Sequence, residues 1–580
     1  MTAAALLLAA CQAETPPEQT SADSAADVPS PASAMNDVAD RYYDFLLERQ
    51  PEMAYFAAVE LDRHDGMFDN SPEAYADAAA AKDAFLREVE AIDAADLVGT
   101  PEWVAKALIE QRLRSEVAER VCKQELWNVS QMGGWHSGYS QIAMLQPVDT
   151  AELREQALAR WAKFPGFVDQ EVANLKAGVE QGYTVPKAVA QRVINQIGGL
   201  LALPTEQSPF YSPAVRAGDD TFGASMRDIV ENGITPALQR ARDYLADEYL
   251  PVAREELSIS AIPNGADCYE AMLRGYTTID RSGKDVYELG QKTVEANKAG
   301  VIELGRTAYE TEDFSEILER AKNDPNDTFE SREELLEFSK TMVERAAAEM
   351  PNWVGTMPEQ AVAVVPFEEH EEGTGRSAHY NPGNADRPAE YRIPLDKPEE
   401  QSRGGAETVA FHEAWPGHHL QVATFQSREG MHPVTSLIWF SGPGEGWARY
   451  SEALAEEMGL YETVTGPISR RAWPARGMVV DPGIHLFGWT REQARDYMNE
   501  SGRFPESMGD DMVDRIAILP GQLTAYDSGG LEILALRRQA EEALGDDFDI
   551  REFHDRVLEN GTIPLGYLRQ HIEAWIESKQ

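Results

Sequence analysis

The residues with the most evident chemistry lie close together in one short stretch of the chain. His412, Glu413, His418 and His419 fall within eight positions, in the sequence Phe-His-Glu-Ala-Trp-Pro-Gly-His-His-Leu-Gln. Imidazole and carboxylate groups are zinc ligands, and a glutamate beside a ligand histidine is the usual general base of a zinc hydrolase. The stretch therefore predicts a metal site in a hydrolase.

The spacing of the histidines departs from the usual pattern. A zinc-protease helix carries its two histidines four residues apart, but the fourth position after His412 is Pro416. Proline lacks a helix N–H and clashes with the carbonyl four residues earlier, so we expect a kink or bulge that Gly417 makes easier. In an unbroken helix His419 would share the face of His412 but lie about 10.5 Å along the axis. A two-residue bulge would make His418 the second ligand and His419 a supporting group or transition-state donor; helix geometry favours His418 without excluding His419.

A third ligand is expected from a second helix. Glu445 follows a Ser-Gly-Pro-Gly turn and is expected to open that helix, in the segment Glu-Gly-Trp-Ala-Arg-Tyr-Ser-Glu. This segment is similar to the Asn-Glu-Gly-Phe-Ala-x-Tyr-x-Glu segment of the aminopeptidase N family, and the resemblance implies that Glu445 is the third ligand. Two imidazoles and one carboxylate would hold one Zn2+ and leave a fourth position for water, from which Glu413 takes the proton. Manganese or cobalt also suits these ligands.

Several separated motifs make the chain resemble the bacterial domain-of-unknown-function family 885. The resemblance covers most of the chain after about residue 36 and implies a gluzincin-like, zinc-metallopeptidase fold, while leaving the substrate open. The motifs are residues 412–421, 445–448 and 479–494, Pro520-Gly521-Gln522 leading to Tyr526, and residues 553–575, with Asn264-Gly265 and Tyr276-Thr277-Thr278 upstream.

Tyr526 and His485 are the candidate donors to the oxyanion that develops during hydrolysis. Zinc peptidases commonly add a phenol or imidazole that binds the tetrahedral oxygen more strongly than the ground-state carbonyl. Asp481 would orient His485 if both lay on one helical turn, although Pro482-Gly483 favours a loop there. The alternative for Tyr526 is a buried tyrosine whose hydroxyl is satisfied by a hydrogen bond. A purely structural role is likewise the alternative for His485.

Two further residues are predicted to bind substrate. Gln522 belongs to the Pro-Gly-Gln motif that precedes Tyr526. Arg537 lies on a helix that Gly529-Gly530 is expected to open, and an arginine there could hold a substrate carboxylate through two hydrogen bonds.

The N-terminal segment looks like a bacterial lipobox. An apolar run over residues 3–10 ends in Leu-Ala-Ala-Cys11, and it is too short to span a membrane. The resemblance implies a lipoprotein signal segment over residues 1–11, in which Cys11 is lipidated and becomes the first residue of the mature protein, although no Lys or Arg precedes the run. Gln12 favours the outer membrane by the enteric sorting pattern, which places the protein in the cell envelope facing the periplasm. Residues 12–35 are polar and predict a flexible tether.

The cysteines allow one disulfide, and the net charge limits which partners the protein can bind. In an oxidising periplasm Cys122 and Cys268 would form one disulfide or remain two buried thiols. The chain has 99 acidic and 52 basic residues, a formal net charge of −47. This excess disfavours nucleic acid, because duplex binding needs basic groups to displace counterions. It also disfavours anionic lipid headgroups, so the acyl anchor is expected to carry the membrane attachment alone.

The pattern of apolar residues predicts a mainly α-helical fold. Helical spacing runs through residues 226–250, 286–304, 331–350 and 532–544. Residues 361–366 and 391–395 are strand-like and would form a small β-sheet beside the metal-binding helix. That sheet would be a structural hairpin or would offer an edge to extended substrate. We expect one large domain over residues 36–580, with a helical part to residue 260 and a metal-site part after it.

These expectations predict hydrolysis of peptide or related amide bonds in small peptides. Two alternatives stay open. One is a binding or assembly lipoprotein that keeps the metal without catalysis, although structural zinc sites are usually closed and rich in cysteine. The other is a hydrolase of non-peptide amides or esters with the same site. The sequence leaves the oligomeric state open.

Overall fold

The computed structural model describes residues 30–57, 59–368, 372, 377–384, 387–502 and 508–580. Cys11, its signal segment and most of the predicted tether lie outside the described residues. Helices dominate the described part of the chain. The helices of the first half are α1 Pro31–Arg49, α2 Met53–Ala57, α3 Pro72–Ala91, α4 Pro101–Glu119, α5 Trp135–Leu145, α6 Ala151–Trp161, α7 Phe164–Glu180, α8 Lys187–Ala202, α9 Ser212–Ala217, α10 Asp220–Ile229, α11 Thr235–Tyr244 and α12 Gly265–Thr277.

The second half contains the small sheet and the helices that surround it. Its helices are α13 Gly283–Ala308, α14 Phe314–Lys322, α15 Arg332–Glu349, α16 Arg403–Glu413, α17 His418–Gln426, α18 Ser441–Glu457, α19 Thr465–Ala472, α20 Arg476–His485, α21 Arg491–Asn499, α22 Met508–Ile518, α23 Ala525–Leu544, α24 Ile550–Leu558 and α25 Leu565–Lys579. The prediction of a mainly helical protein with a small sheet is confirmed.

The first helix begins earlier than the sequence suggested. The Ser30 side chain accepts a hydrogen bond from the Ser33 N–H, and Pro31 occupies the first helical position. Both features favour a helix start. Met35, assigned to the flexible tether, is completely buried in the core. The tether prediction was therefore wrong for residues 31–35.

The predicted helical segments are mostly continuous. Residues 286–304 and 532–544 lie inside α13 and α23, and residues 331–350 correspond to α15 with its flanking residues. Residues 226–250 are the exception, because wide π-type turns over Val230–Ile234 and Leu245–Tyr249 interrupt the α-helical geometry. The apolar spacing gave no sign of these turns.

The sheet has three strands: β1 Val362–Pro366, β2 His379–Asn381 and β3 Ala389–Ile393. Their order is β1-β3-β2, with β1 parallel and β2 antiparallel to β3. Both predicted strands exist, but they pair in parallel, so the hairpin interpretation was wrong. The second predicted strand is central, which leaves β1 and β2 at the edges.

The buried core joins the two predicted parts of the chain. One cluster combines residues of α1, α3 and α4 with residues of α15 to α18 and α23 to α25. A second cluster combines residues between Cys122 and Val294 with residues of α20 and α22. The Cys122–Cys268 disulfide also crosses residue 260 and closes a separation of 146 residues. Residue 260 is therefore not a boundary of the core.

In the described part of the chain, every helix is too short or too polar to cross a lipid bilayer.

Candidate metal centre

The helix that carries His412 is interrupted where the sequence predicted it. α16 ends at Glu413 and α17 begins at His418, with a tight turn over residues 414–417 between them. At Gly417 a Cβ atom would lie 1.8 Å from the carbonyl oxygen of His412, so only glycine fits this close approach. The Trp447 Nε1–H donates to the Pro416 carbonyl at 2.8 Å and holds the turn from α18. The interruption spans four residues and is longer than the predicted two-residue bulge. It brings the side chain of His418 next to that of His412.

Three side chains converge at this turn. Glu445 Oε2 lies 3.5 Å from His412 Nε2 and 3.4 Å from His418 Nε2. The three ligand atoms all lie within 4.8 Å of one another. Glu445 occupies the second turn of α18, because residues 441–444 form the first turn of the helix. The expectation that Glu445 opens its helix was wrong, although the helix does deliver it to the histidines.

The geometry and the donor set fit a divalent metal ion. Zinc bonds of roughly 2.0–2.1 Å in a tetrahedron place neighbouring ligand atoms about 3.3–3.4 Å apart. The separations of 3.4 and 3.5 Å match that spacing and exceed a good hydrogen bond. Glu445 Oε2 is buried without a hydrogen bond of ordinary length. A buried carboxylate oxygen facing two imidazole nitrogens is what a cation would satisfy.

The electrostatics of the cluster show how strongly its members interact. Burial lowers the pKa of His412, but the Glu445 and Glu452 carboxylates outweigh that effect and raise this pKa to about 10. Burial raises the pKa of Glu445, but the two imidazoles outweigh it and hold this pKa well below its ordinary value. The carboxylates of Glu445 and Glu452 therefore favour a positive charge beside them, on the imidazoles or on a bound cation.

A chain of charged groups supports His412 through its Nδ1 atom. Its Nδ1 lies 3.0 Å from Glu452 Oε1, and Arg449 Nη1 donates to both Glu452 oxygens at 2.8 and 2.7 Å. Arg449 Nε lies 3.0 Å from Asp527 Oδ1. In the neutral ring with Nδ1–H donating to Glu452, Nε2 of His412 carries the lone pair that a metal ion would bind in place of a proton. The sequence analysis missed Glu452, although its position seven residues after Glu445 places both on one face of α18.

Glu413 and His419 are linked through strand β2. Glu413 Oε2 accepts the backbone N–H of Tyr380 at 2.9 Å. His419 Nδ1 lies 3.2 Å from the Tyr380 hydroxyl, and its Nε2 lies 2.9 Å from the Gln360 carbonyl. Burial lowers the pKa of His419 to about 4, so the ring is neutral with both nitrogens engaged. The structure therefore groups His418 with His412, and His419 supports β2.

The cluster opens into a cavity of about 620 Å³. Tyr526 lines it, with its ring nearly parallel to the His412 ring and 6.3 Å away between centroids. Burial, together with the Glu445 carboxylate, raises the pKa of Tyr526 to about 12, so the phenol stays protonated and can donate. α23 begins at Ala525, so Gly529 and Gly530 lie inside this helix and do not open it as expected.

His485 is not brought to the cavity. Its Nδ1 accepts the Ile259 N–H at 3.1 Å, and its Nε2 donates to the Ile516 carbonyl at 3.0 Å. Burial lowers the pKa of His485 to about 3. Asp481 instead accepts from the Tyr269 hydroxyl and the Gly521 N–H, and it lies within α20 rather than a loop. The predicted oxyanion role of His485 fails because both ring nitrogens already hold backbone groups.

The two predicted substrate-binding residues have different positions. Arg537 is held by Glu457 at 2.7 and 2.8 Å and by Glu541 at 2.8 Å, away from the cavity lining. Gln522 is not among the residues that line the cavity, but its Oε1 accepts from Nη2 of Arg515, a lining residue, at 2.7 Å. Arg515 lines the cavity and was missed, because nothing in its local sequence links α22 to the histidine motif.

The fold and site together define a large helical protein with a His-His-Glu cluster at a helix break. The chain belongs to the family described as bacterial protein of unknown function (DUF885), whose profile matches residues 51–572. No match was found among curated proteins.

Two solved structures are similar to this chain over nearly its whole length. One is a candidate lipoprotein from Colwellia psychrerythraea, with 24% identity and a TM-score of 0.87, covering 95% of this chain and 100% of that one. The other is a candidate lipoprotein of unknown function from Shewanella oneidensis, with 19% identity and a TM-score of 0.76, covering 94% and 99% of the two chains. At these identities the similarity establishes the shared fold.

The two adjacent histidines should differ in metal binding. If His418 is a metal ligand, His418→Gln should lower zinc affinity by more than about 100-fold, beyond the loss typical of a supporting residue. His419→Gln should keep about one zinc per chain, as a three-ligand site predicts. Metal content by mass spectrometry after dialysis measures both, with circular dichroism as the folding control. Equal loss in both variants, or loss in His419→Gln alone, would contradict the assignment.

Glu452 is expected to affect the zinc affinity of the candidate site through its contact with His412. Glu452→Gln weakens the hold on the His412 Nδ1–H, so zinc affinity is expected to fall about 10- to 100-fold. Glu457→Gln is the matched control, because it lies on the same helix and pairs with Arg537 at the surface. Competition with a fluorescent chelator measures the affinities. Wild-type affinity in a folded Glu452→Gln protein would show that the carboxylate does not support the site.

Proposed function

We propose that the protein is a zinc-dependent hydrolase of peptide or related amide bonds that acts on small peptides. The observation that carries the proposal is the convergence of His412, His418 and Glu445 with the adjacent Glu413 in one cavity. A zinc ion held by the first three residues would supply Lewis-acid chemistry, polarising a carbonyl and increasing the acidity of water. A cluster open to a cavity suits catalysis better than a closed structural site.

Glu413 is the proposed general base. It lines the cavity beside the ligands, and the Tyr380 N–H fixes one of its oxygens. Its carboxylate accepts a proton from the attacking water and returns that proton to the leaving amine as the C–N bond breaks. Burial raises the pKa of Glu413 against the opposing effect of His412 and His418, which makes the carboxylate a stronger proton acceptor.

Tyr526 is the proposed oxyanion donor. The protonated phenol lines the cavity on the side of His412, where a carbonyl oxygen gains negative charge as water attacks. A donor placed for that oxygen stabilises the transition state more than the ground state. His485 is excluded from this role by its position.

The cavity supports a peptide substrate. Ligand cavities in proteins commonly enclose roughly 300–1,000 Å³, and about 620 Å³ suits a short peptide rather than a folded protein. Edge strand β2 and the residues just before it line the wall beside Glu413. An extended peptide can align its backbone along such an edge. This arrangement supports peptides over amides and esters that lack an extended backbone.

Attachment to the bacterial cell envelope is part of the proposal. The lipobox-like segment ending at Cys11 supports a lipid anchor, and both similar solved structures are described as candidate lipoproteins. The proposed anchor holds the catalytic domain at the periplasmic face of the outer membrane.

The test of the proposed function is Glu413→Gln beside wild type. Both proteins are stripped of metal, reloaded with zinc and incubated with a mixed peptide library and a panel of simple amides and esters. Both are expected to bind about one zinc, and only wild type should hydrolyse peptides. Equal activity in the two proteins would assign the cleavage to a contaminant or another base. A zinc-loaded wild type that cleaves nothing would favour a binding protein.

Tyr526→Phe should separate binding from catalysis. Loss of the hydroxyl is expected to lower kcat about 100- to 1,000-fold, as for removal of one oxyanion donor, while zinc content and KM change little. Single-turnover kinetics on the best library peptide give the comparison. Unchanged kcat would leave Tyr526 as a buried structural tyrosine.

A further inference from the structure

Among the residues that the structure describes, Arg515 of the cavity lining has only the neutral partners Gln522 and Tyr526. Its Nη2 donates to Gln522 Oε1 at 2.7 Å and lies 3.4 Å from the Tyr526 hydroxyl. Within the part of the chain that the structure describes, no carboxylate oxygen lies within 4.0 Å of its guanidinium. Its Nε is buried and lacks a hydrogen-bond partner among the same residues. The guanidinium therefore keeps unused donors beside the proposed catalytic groups.

Arg515 differs from neighbouring arginines, which pair with carboxylates. Arg449, which also lines the cavity, is paired with Glu452 and Asp527. Asp514, the residue before Arg515, is paired with two other arginines on the far side of α22. The chain has 99 acidic residues for 52 basic ones, so carboxylates are plentiful. A partly buried charge without a counterion is unfavourable, and a ligand that carries an anion would remove that penalty.

We propose that Arg515 binds the C-terminal carboxylate of the peptide substrate. The proposal rests on the proposed hydrolase function and narrows it to release of one or two residues from the C-terminus of a peptide. The planar guanidinium offers two parallel N–H donors to a carboxylate, a geometry that gives directional recognition. Water adds to the carbonyl carbon, the C–N bond breaks, and the proton passes through Glu413 to the new amino group.

The position of Tyr526 sets the length of the released fragment. Its hydroxyl contacts Arg515, while its ring lies 6.3 Å from the His412 ring, so one side chain separates Arg515 from the ligand cluster. An extended residue spans at most about 3.6 Å. A carboxylate on Arg515 therefore leaves room for one or two residues between it and the bond beside the cluster.

The wall near Arg515 also predicts the side chain of the departing residue. Met508, Met512 and Arg515 all line the cavity, and their spacing of four and three residues places them on one face of α22. Trp473 and Leu523 line the same cavity. An apolar C-terminal side chain would be buried against these groups while its carboxylate binds the arginine.

The experiment compares matched peptides on the zinc-loaded full chain. The first peptide has a free C-terminal carboxylate on leucine, the second is its C-terminal amide, and the third is an amide ending in glutamate. Wild type is expected to hydrolyse the free acid about 100-fold more efficiently in kcat/KM than either amide, the loss typical of leaving one member of a buried ion pair unpaired. Mass spectrometry should show release of one or two C-terminal residues.

Arg515→Gln should lower kcat/KM for the free acid to the level of its amide, and Arg515→Lys should restore part of the preference. The matched control is Arg495→Gln, on the adjoining helix α21 with a surface partner in Asp496, which should behave as wild type. Zinc content and thermal unfolding are measured for each variant. If Arg515→Gln fails to fold, Arg515→Lys tests the arginine, because loss of the two parallel donors should still reduce the preference, and the comparison of acid and amide on wild type tests the carboxylate site.

The remaining outcomes separate the two proposals. Internal cleavage by wild type with equal rates for acid and amide would overturn the carboxylate site and leave the hydrolase function standing. Rapid cleavage of the glutamate amide would assign the anion to a side chain and overturn the C-terminal assignment. A preference for the free acid that survives in Arg515→Gln would remove Arg515 from the site. Absence of Glu413-dependent cleavage with every peptide would overturn the hydrolase function itself, and the inference with it.

Discussion

The hydrogen bond from the Trp447 indole to the Pro416 carbonyl joins the two halves of the candidate site. The turn over residues 414–417 sets His418 beside His412, and the same α18 helix that holds this turn supplies Glu445. The Ser451 hydroxyl donates to the same carbonyl at 3.1 Å. The ligand positions are consequently coupled, because a shift of α18 would move the carboxylate and the histidine turn together.

The cavity lining combines two groups of opposite electrical character. Glu445, Glu452 and two imidazoles favour a cation. Arg515 presents a cation that has no carboxylate oxygen of the described residues within 4.0 Å. A ligand that carries a polarisable carbonyl and a carboxylate a short distance apart complements both groups. The C-terminus of a peptide combines these two groups. The proposed peptide substrate and the proposed carboxylate-binding role of Arg515 are therefore consistent with each other.

Much of the fold and the centre of the site were predictable because their signals are local. Apolar spacing located α13, α15 and α23, and Pro416 predicted the interruption that selects His418. Some errors concern helix boundaries, such as the starts of α1 and α18, and the others concern long-range contacts. Arg537 is held by Glu457 from a different helix, the backbone groups that bind His485 are distant in sequence, and the parallel pairing of β1 with β3 depends on how the chain crosses between them. Arg515 carries no local motif, so only the folded chain reveals its contacts with Gln522 and Tyr526.

The contact between α18 and α23 limits how the cavity can change shape. A Cβ atom on Gly446 would lie 2.6 Å from backbone atoms of Gly529, and one on Gly529 would lie 1.9 Å from the Gly442 carbonyl oxygen. Two backbones in such contact have no compressible side chain between them, and packed interiors yield little to small displacements. Glu445, Glu452 and Tyr526 should therefore move as one rigid unit. Widening of the cavity is therefore expected at other walls, such as those formed by β2 and α22, which would leave the proposed catalytic groups stationary.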